Sequence, residues 1–156
     1  MHPDALLFFE QDFWPELECM PMGVRYKLDR CATKVSLRHW QLLDTAEREE
    51  LVALPGEGAE QADFYRARLE ELARKYGFAL VTIDPDPAPW QADSNRLDLE
   101  AAFWRALSPF ERFVCLKAQA SSKQADLLPR VLARLKENHP ATLPGGEVRL
   151  ETPGCR

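Results

Sequence analysis

At 156 residues the chain has the usual length of one domain, and 46% hydrophobic with 29% charged residues excludes a disordered polymer. A formal charge of −5 repels phosphate backbones and anionic lipid, which argues against nucleic acid and membrane surfaces as partners. No basic leader precedes an apolar run and no stretch of about 18 apolar residues occurs, so the sequence reads as a cytoplasmic protein.

The opening segment, Leu6 through Phe13 and Trp14, is aromatic enough to dock on a core, but its spacing does not decide between helix and extended chain. Pro21 suits the first turn of a helix running to Cys31, with Val24, Leu28 and Cys31 as its buried stripe and Arg25, Lys27, Asp29 and Arg30 pointing away. Ser36 caps a short helix containing Leu37 and Trp40. Asp44 and Glu47 form a capping box that opens a helix through Leu51 and Leu54, stopped before Pro55-Gly56. The most regular pattern spans 59–76, where Tyr65, Leu69, Leu72 and Tyr76 share a buried face and Gly77 ends the helix. Its other face carries Arg66, Glu70, Glu71, Arg74 and Lys75, with Glu70–Arg74 and Glu71–Lys75 in the favourable order for ion pairs.

Phe78 to Ile83 is short, apolar and partly β-branched, as a strand would be, and Val148-Arg149-Leu150 is its only evident partner. Prolines 85, 87 and 89 bar a helix from the connector at 84–90. The second half then repeats the first: the spacing W-x-x-L-x-x-x-E-R at Trp40, Leu43, Glu47 and Arg48 recurs 64 positions later at Trp104, Leu107, Glu111 and Arg112. So few matched positions leave duplication and shared capping chemistry both open. Ser108 and Glu111 form the second capping box, with Pro109 in the first helical position and Phe110, Phe113 and Val114 as the apolar stripe. Leu128, Val131, Leu132 and Leu135 mark a last helix, with Pro129 in its first turn and Asn138-His139-Pro140 as its stop. Residues 141–156, rich in glycine and proline, read as a flexible tail. The fold expected is mainly α: one compact domain over 1–140 with five to seven short helices in helical hairpins and at most one short strand pair.

Motifs for chemistry are missing. Cys19, Cys31, Cys115 and Cys155 are sparse and irregularly placed, which reads as reduced thiols rather than a disulfide framework. Neither these nor His2, His39 and His139 fall at metal-ligand spacing, and the glycines form no phosphate-binding loop, so no metal and no cofactor is expected. Ser36 and His39 read as a cap rather than a nucleophile and base. Glu10 and Asp12 stand beside Phe8, Phe9, Phe13 and Trp14 as an acid pair, and a solvated edge is the simpler reading. Trp40 and Trp104 look like core, whereas Trp90, after the proline-rich loop, is either an interface anchor or a pin for the connector.

The order of motifs is itself distinctive: Phe8-Phe9-Glu10-Gln11-Asp12-Phe13, then the run from Cys19 to Asp29, then Lys34 to Leu37 leading to Trp40. It resembles the nitrate reductase-associated protein family of small bacterial proteins, prominent in cyanobacteria, most densely from Phe8 to Pro55 and more weakly from Glu111 to Lys117. Ala32 stands where that family has glycine, so a differently built turn is expected there. The resemblance implies association with assimilatory nitrate reductase, a cytoplasmic enzyme holding molybdopterin and iron–sulfur centres. It implies a non-catalytic role in maturation, assembly or activation, with an electron-transfer-assisting subunit and a cryptic enzyme as alternatives, and it assigns no catalytic residues. The docking surface is expected along Cys19 to Asp29, with Arg25, Lys27 and Asp29 on the polar face and Glu10, Asp12 and Trp90 as further candidates. Helical hairpins commonly pair, so a homodimer stays open.

Overall fold

A computed structural model of the chain describes residues 7–13, 16–84, 90–91, 95–121 and 124–140. Trp14, the connector prolines 85, 87 and 89, the expected strand 148–150, Cys155 and the expected tail 141–156 lie outside the described residues. Two compact units are present, Met1–Pro85 and Asp86–Arg156. The described residues form seven α-helices, one 3-10 helix and one two-stranded sheet, a mainly α architecture.

In the first unit a 3-10 helix, Phe8–Phe13, resolves the conformation that the sequence left undecided. Helix α1 (Met22–Arg30) follows Pro21, and the four-residue α2 (Leu37–Trp40) is capped by Ser36, whose Oγ accepts the His39 amide at 3.1 Å. The expected capping box opens α3 (Thr45–Ala53): Asp44 Oδ1 accepts from Glu47 N at 2.8 Å and Glu47 Oε1 from Asp44 N at 2.9 Å. Helix α4 (Ala59–Tyr76) ends at Gly77, whose φ of 75° closes the last turn in the left-handed region that glycine enters freely. Val24, Leu28, Trp40, Leu51, Tyr65, Leu69 and Leu72 meet in the core of this unit.

The strand expected within 78–83 is present and finds a partner inside the first unit. Val81–Thr82 (β2) pairs antiparallel with Thr33–Lys34 (β1), in the register Thr33 to Thr82 and Lys34 to Val81, a partner that the sequence did not signal. The cause is the turn after α1: Ala32, at φ 54°, reverses the chain and its carbonyl accepts the Ile83 amide at 2.9 Å. Arg66 of α4 then ties both strands together, reaching Cys31 O at 3.0 Å, Thr33 Oγ1 at 2.9 Å and Thr82 Oγ1 at 3.1 Å. Ala32 therefore keeps the left-handed backbone that suits glycine, at a cost of roughly 1 kcal/mol.

The ion pairs of α4 also differ from expectation. Glu70 pairs with Arg66 at 3.5 Å, Glu71 with Arg68 at 3.0 Å, and Lys75 with Glu47 of α3. Arg68 further grips Glu50 through two bonds of 2.7 and 2.9 Å. Glu70 and Glu71 thus pair one turn back along α4, while Lys75 and Arg68 reach carboxylates on α3, where the guanidinium fork of Arg68 matches both oxygens of Glu50.

The second unit holds α5 (Ala101–Ala106), α6 (Pro109–Ala120) and α7 (Leu127–Asn138). Glu100 caps α5 through Oε1, and the Ser108–Glu111 capping box opens α6 with bonds of 3.1 and 2.8 Å. Pro129 sits in the first turn of α7, as its missing amide allows. Phe103, Trp104, Leu107, Phe113, Val114, Cys115, Leu127, Val131 and Leu135 are buried here.

Candidate functional site

Two of the residues expected at a docking surface are drawn inside the first unit. Glu10 is 2% exposed rather than a solvated edge. Its Oε2 accepts the Met22 amide at 2.6 Å and its Oε1 the Leu7 amide at 3.1 Å, so it caps the otherwise uncapped start of α1. Burial raises the Glu10 carboxyl above its ordinary range, and these two amides and Arg25 pull against that rise. Lys27 does not point away with its neighbours. It reaches across to the end of α3, donating to Val52 O at 2.7 Å and Leu51 O at 3.4 Å, with its ammonium 5.5 Å from the centre of the Tyr65 ring. Burial lowers the Lys27 ammonium to about 8, with Glu57 opposing. Gly56 passes the Lys27 stem so closely that a side chain there would meet its Cγ at 3.0 Å.

The other candidates lie further out. Asp12, Cys19 and Arg25 are exposed, the Cys19 thiol is free, and Arg25 Nε donates to Met20 O at 3.3 Å. Asp29 is half-buried, with its carbonyl accepting the Ala32 amide at 3.1 Å. Trp90, half-buried, is in the second unit, and its carbonyl accepts from Arg112 at 2.9 Å. Cys31 and Cys115 are buried free thiols, both raised by burial, Cys115 to about 12, which keeps that thiol protonated and unreactive.

The buried charges that sequence reasoning did not interpret carry the clearest geometry. In the first unit Arg48 Nε donates to Trp40 O at 3.3 Å, Nη2 to Gln41 O at 3.0 Å and Nη1 to Glu16 O at 2.7 Å. In the second, Arg112 Nε donates to Trp104 O at 3.0 Å, Nη2 to Arg105 O at 3.1 Å and Nη1 to Trp90 O at 2.9 Å. Atom for atom, each arginine donates to two successive carbonyls at the end of the short helix before it, and with its third nitrogen grips a segment from further upstream. The glutamates beside them are matched too. Glu47 takes bonds from Lys75 and from Tyr76 (2.5 Å), and Glu111 takes one from His139 at 3.0 Å. Burial raises the Glu47 carboxyl, but the bonds from Lys75, Tyr76 and the Asp44 amide outweigh it, leaving the group below its ordinary range.

The copies differ at one atom. Trp40 Nε1 donates to Leu17 O at 2.7 Å, whereas Trp104 Nε1 is, among the described residues, the one buried side-chain polar atom with no partner. The W…L…E-R spacing signalled the repeat, but only the coordinates show the arginine as a carbonyl clamp.

Each of these charged groups is bonded to the chain's own backbone or side chains. A shallow cleft of about 390 Å³, lined by Arg66, Glu70, Ala73, Arg74 and Leu80, is open and mostly polar. Among the described residues no group of three or more His, Cys, Asp or Glu is placed to hold a metal ion, and no helix is long and apolar enough to cross a membrane.

The family model for the conserved nitrate reductase-associated protein matches residues 6–135, which takes in α1 to α6 and most of α7. No curated protein and no solved structure matches the chain. The chain belongs to the nitrate reductase-associated protein family.

Proposed function

With that membership as the premise, we propose that the chain is a non-catalytic accessory protein that binds assimilatory nitrate reductase and is needed for its assembly, maturation or activity. The observation that carries the reading is a family match running through both units rather than one. The disposition of charge supports it: Glu10, Lys27, Glu47 and Arg112 are committed to helix ends and backbone carbonyls, and the side chains left for other work are on the surface. A reductase holding molybdopterin and iron–sulfur centres brings its own chemistry, so a partner of this kind contributes surface and no cofactor. Both the binding reaction and the reductase are placed in the cytoplasm.

Nitrate reductase purified from cells with and without this chain, assayed for activity and for molybdenum, tests the reading. Loss of both is the expected result and identifies cofactor insertion or stabilisation of the loaded enzyme. Loss of activity with molybdenum retained moves the role to activation or to an electron-transfer-assisting subunit. Unchanged activity and molybdenum contradict the proposal.

A further inference from the structure

The two-stranded sheet of the first unit is open along one side. In an antiparallel pair, residues bonded to the partner strand alternate with residues whose amide and carbonyl turn outward. The Ile83 amide on the Ala32 carbonyl fixes the phase, since those two residues continue the register Thr33 to Thr82 and Lys34 to Val81. Val81 and Ile83 therefore face β1, and the backbone groups of Leu80 and Thr82 face away from it. Among the described residues those outward groups make no hydrogen bond. Lysine, proline or a bulge commonly blunts such an edge, yet Phe78 to Ile83 carries no charge and no proline. Ala79, Val81 and Thr82 are exposed, so beyond its short length nothing in the strand itself protects the edge.

The shallow cleft of about 390 Å³ lies on the same side. Leu80 lines it together with Arg66, Glu70, Ala73 and Arg74 of α4, and no residue of β1 does, so the cleft runs along the outer edge of β2. Arg66 meets Thr82 at one end, and the Phe78 amide on Ala73 O holds the start of the strand at the other. Leu80 shares the α4-facing side of the sheet with Thr82, two residues on. A third strand laid against Leu80 and Thr82 would rest on this flank of α4.

Charge in the cleft is uneven. Glu70 is held by Arg66 at 3.5 Å and Glu71 by Arg68 at 3.0 Å, while Arg74, exposed, makes no ion pair or hydrogen bond among the described residues. The other carboxylates of this flank belong to the opposite end: Asp63 precedes Arg66 on α4 and Asp84 follows Thr82. Arg74 stands eight residues and roughly 12 Å along the helix beyond Arg66. A carboxylate therefore fits beside Arg74, and an apolar side chain beside Leu80 and Ala73.

We propose that the outer edge of β2 receives an extended segment of the reductase as a third strand, with a carboxylate of that segment on Arg74 and an apolar side chain against Leu80. This rests on the accessory reading above and names the surface that performs it. Backbone bonds at Leu80 and Thr82 set the register of the added strand, and Arg74 selects its charge.

The test measures amide hydrogen exchange in the full-length chain, alone and with purified nitrate reductase. It also measures the dissociation constant for wild type, T82P, T82V and R74E, with the thermal midpoint of each chain. The Leu80 and Thr82 amides are expected to exchange freely in the chain alone and to slow at least about tenfold in the complex. T82P removes an outward amide that β1 does not use, and should weaken binding about tenfold. T82V, which loses the bond from Arg66 and keeps the amide, should bind as wild type does. R74E should weaken binding about tenfold as well, more at low salt than at high. It changes an exposed side chain alone, so R74E and the exchange pattern decide the matter should T82P lose its fold. Unchanged exchange at both amides, or full affinity in a folded T82P, overturns the added strand and leaves the partner reading intact. Weakening by T82P but not by R74E overturns the carboxylate on Arg74. Absence of any wild-type complex overturns both proposals. Protection already present in the chain alone overturns the reductase segment, in favour of a second copy where it fades on dilution and of this chain itself where it does not.

Discussion

The two units solve the same local problem with different margins. In the first, Arg48 is half-buried, its clamp is wet, and the Trp40 indole closes on the Leu17 carbonyl. In the second, Arg112 is only 7% exposed and holds the corresponding carbonyls in a drier place, while the Trp104 indole has no acceptor among the described residues. A short helix ending in tryptophan exposes carbonyls that the chain must satisfy, and an arginine eight residues on satisfies two of them whatever surrounds it. What surrounds it sets the energetic consequence and decides what the outer face is free to do.

The largest effect that would sharpen this contrast is expected at the arginines. Arg112→Met removes three bonds to carbonyls in a dry setting and should cost about 3–5 kcal/mol in urea unfolding, whereas Arg48→Met, in a wetter setting, should cost about 1–2 kcal/mol. Equal losses would break the comparison. Next come the indoles: Trp40→Phe strands the Leu17 carbonyl, while Trp104→Phe removes a polar group that already lacks a partner. Their stabilities should differ by about 1–3 kcal/mol, with Trp40→Phe the more damaging.

Acid distinguishes the glutamates. Glu47 is held below its ordinary 4.5, so it contributes stability that is present above about pH 4.5 and is lost as pH falls through its lower folded value. In Glu47→Gln that part of the acid dependence should disappear, read as a flatter unfolding midpoint against pH than wild type. Lys27 gives the same sign in an alkaline window. Its folded value of about 8 lies below the ordinary 10.5, so the unfolded chain holds a proton the folded chain has released and stability rises between those two pH values. A Lys27→Met chain should lack that rise.

The smallest effect concerns one methyl group. Ala32→Gly relieves the left-handed strain at φ 54° but loosens the unfolded chain, for a net gain of roughly 0.5–1 kcal/mol. A loss would show that the methyl packs usefully.

Much of this was legible in the sequence. The caps at Ser36, Asp44 and Ser108, the stop at Gly77 and the span of α4 follow from local chemistry, and the structure bears them out. Lys27 reads as part of a polar helix face and Glu10 as a solvated edge, because a long amine stem reaching another helix's last carbonyls, and a carboxylate capping a helix twelve residues on, are tertiary events without a local signature. The pairing with Thr33-Lys34 was illegible for the same reason, since that strand is too short to announce itself and is tied to its partner by Arg66.

The central claim is that this chain works by binding nitrate reductase. Its most direct test is size-exclusion chromatography with light scattering on an equimolar mixture of the two purified proteins. A co-eluting species whose mass is the sum of reductase and bound chain, absent when either is run alone, is the result expected. Separate elution, together with a reductase fully active in cells that lack the chain, would contradict it.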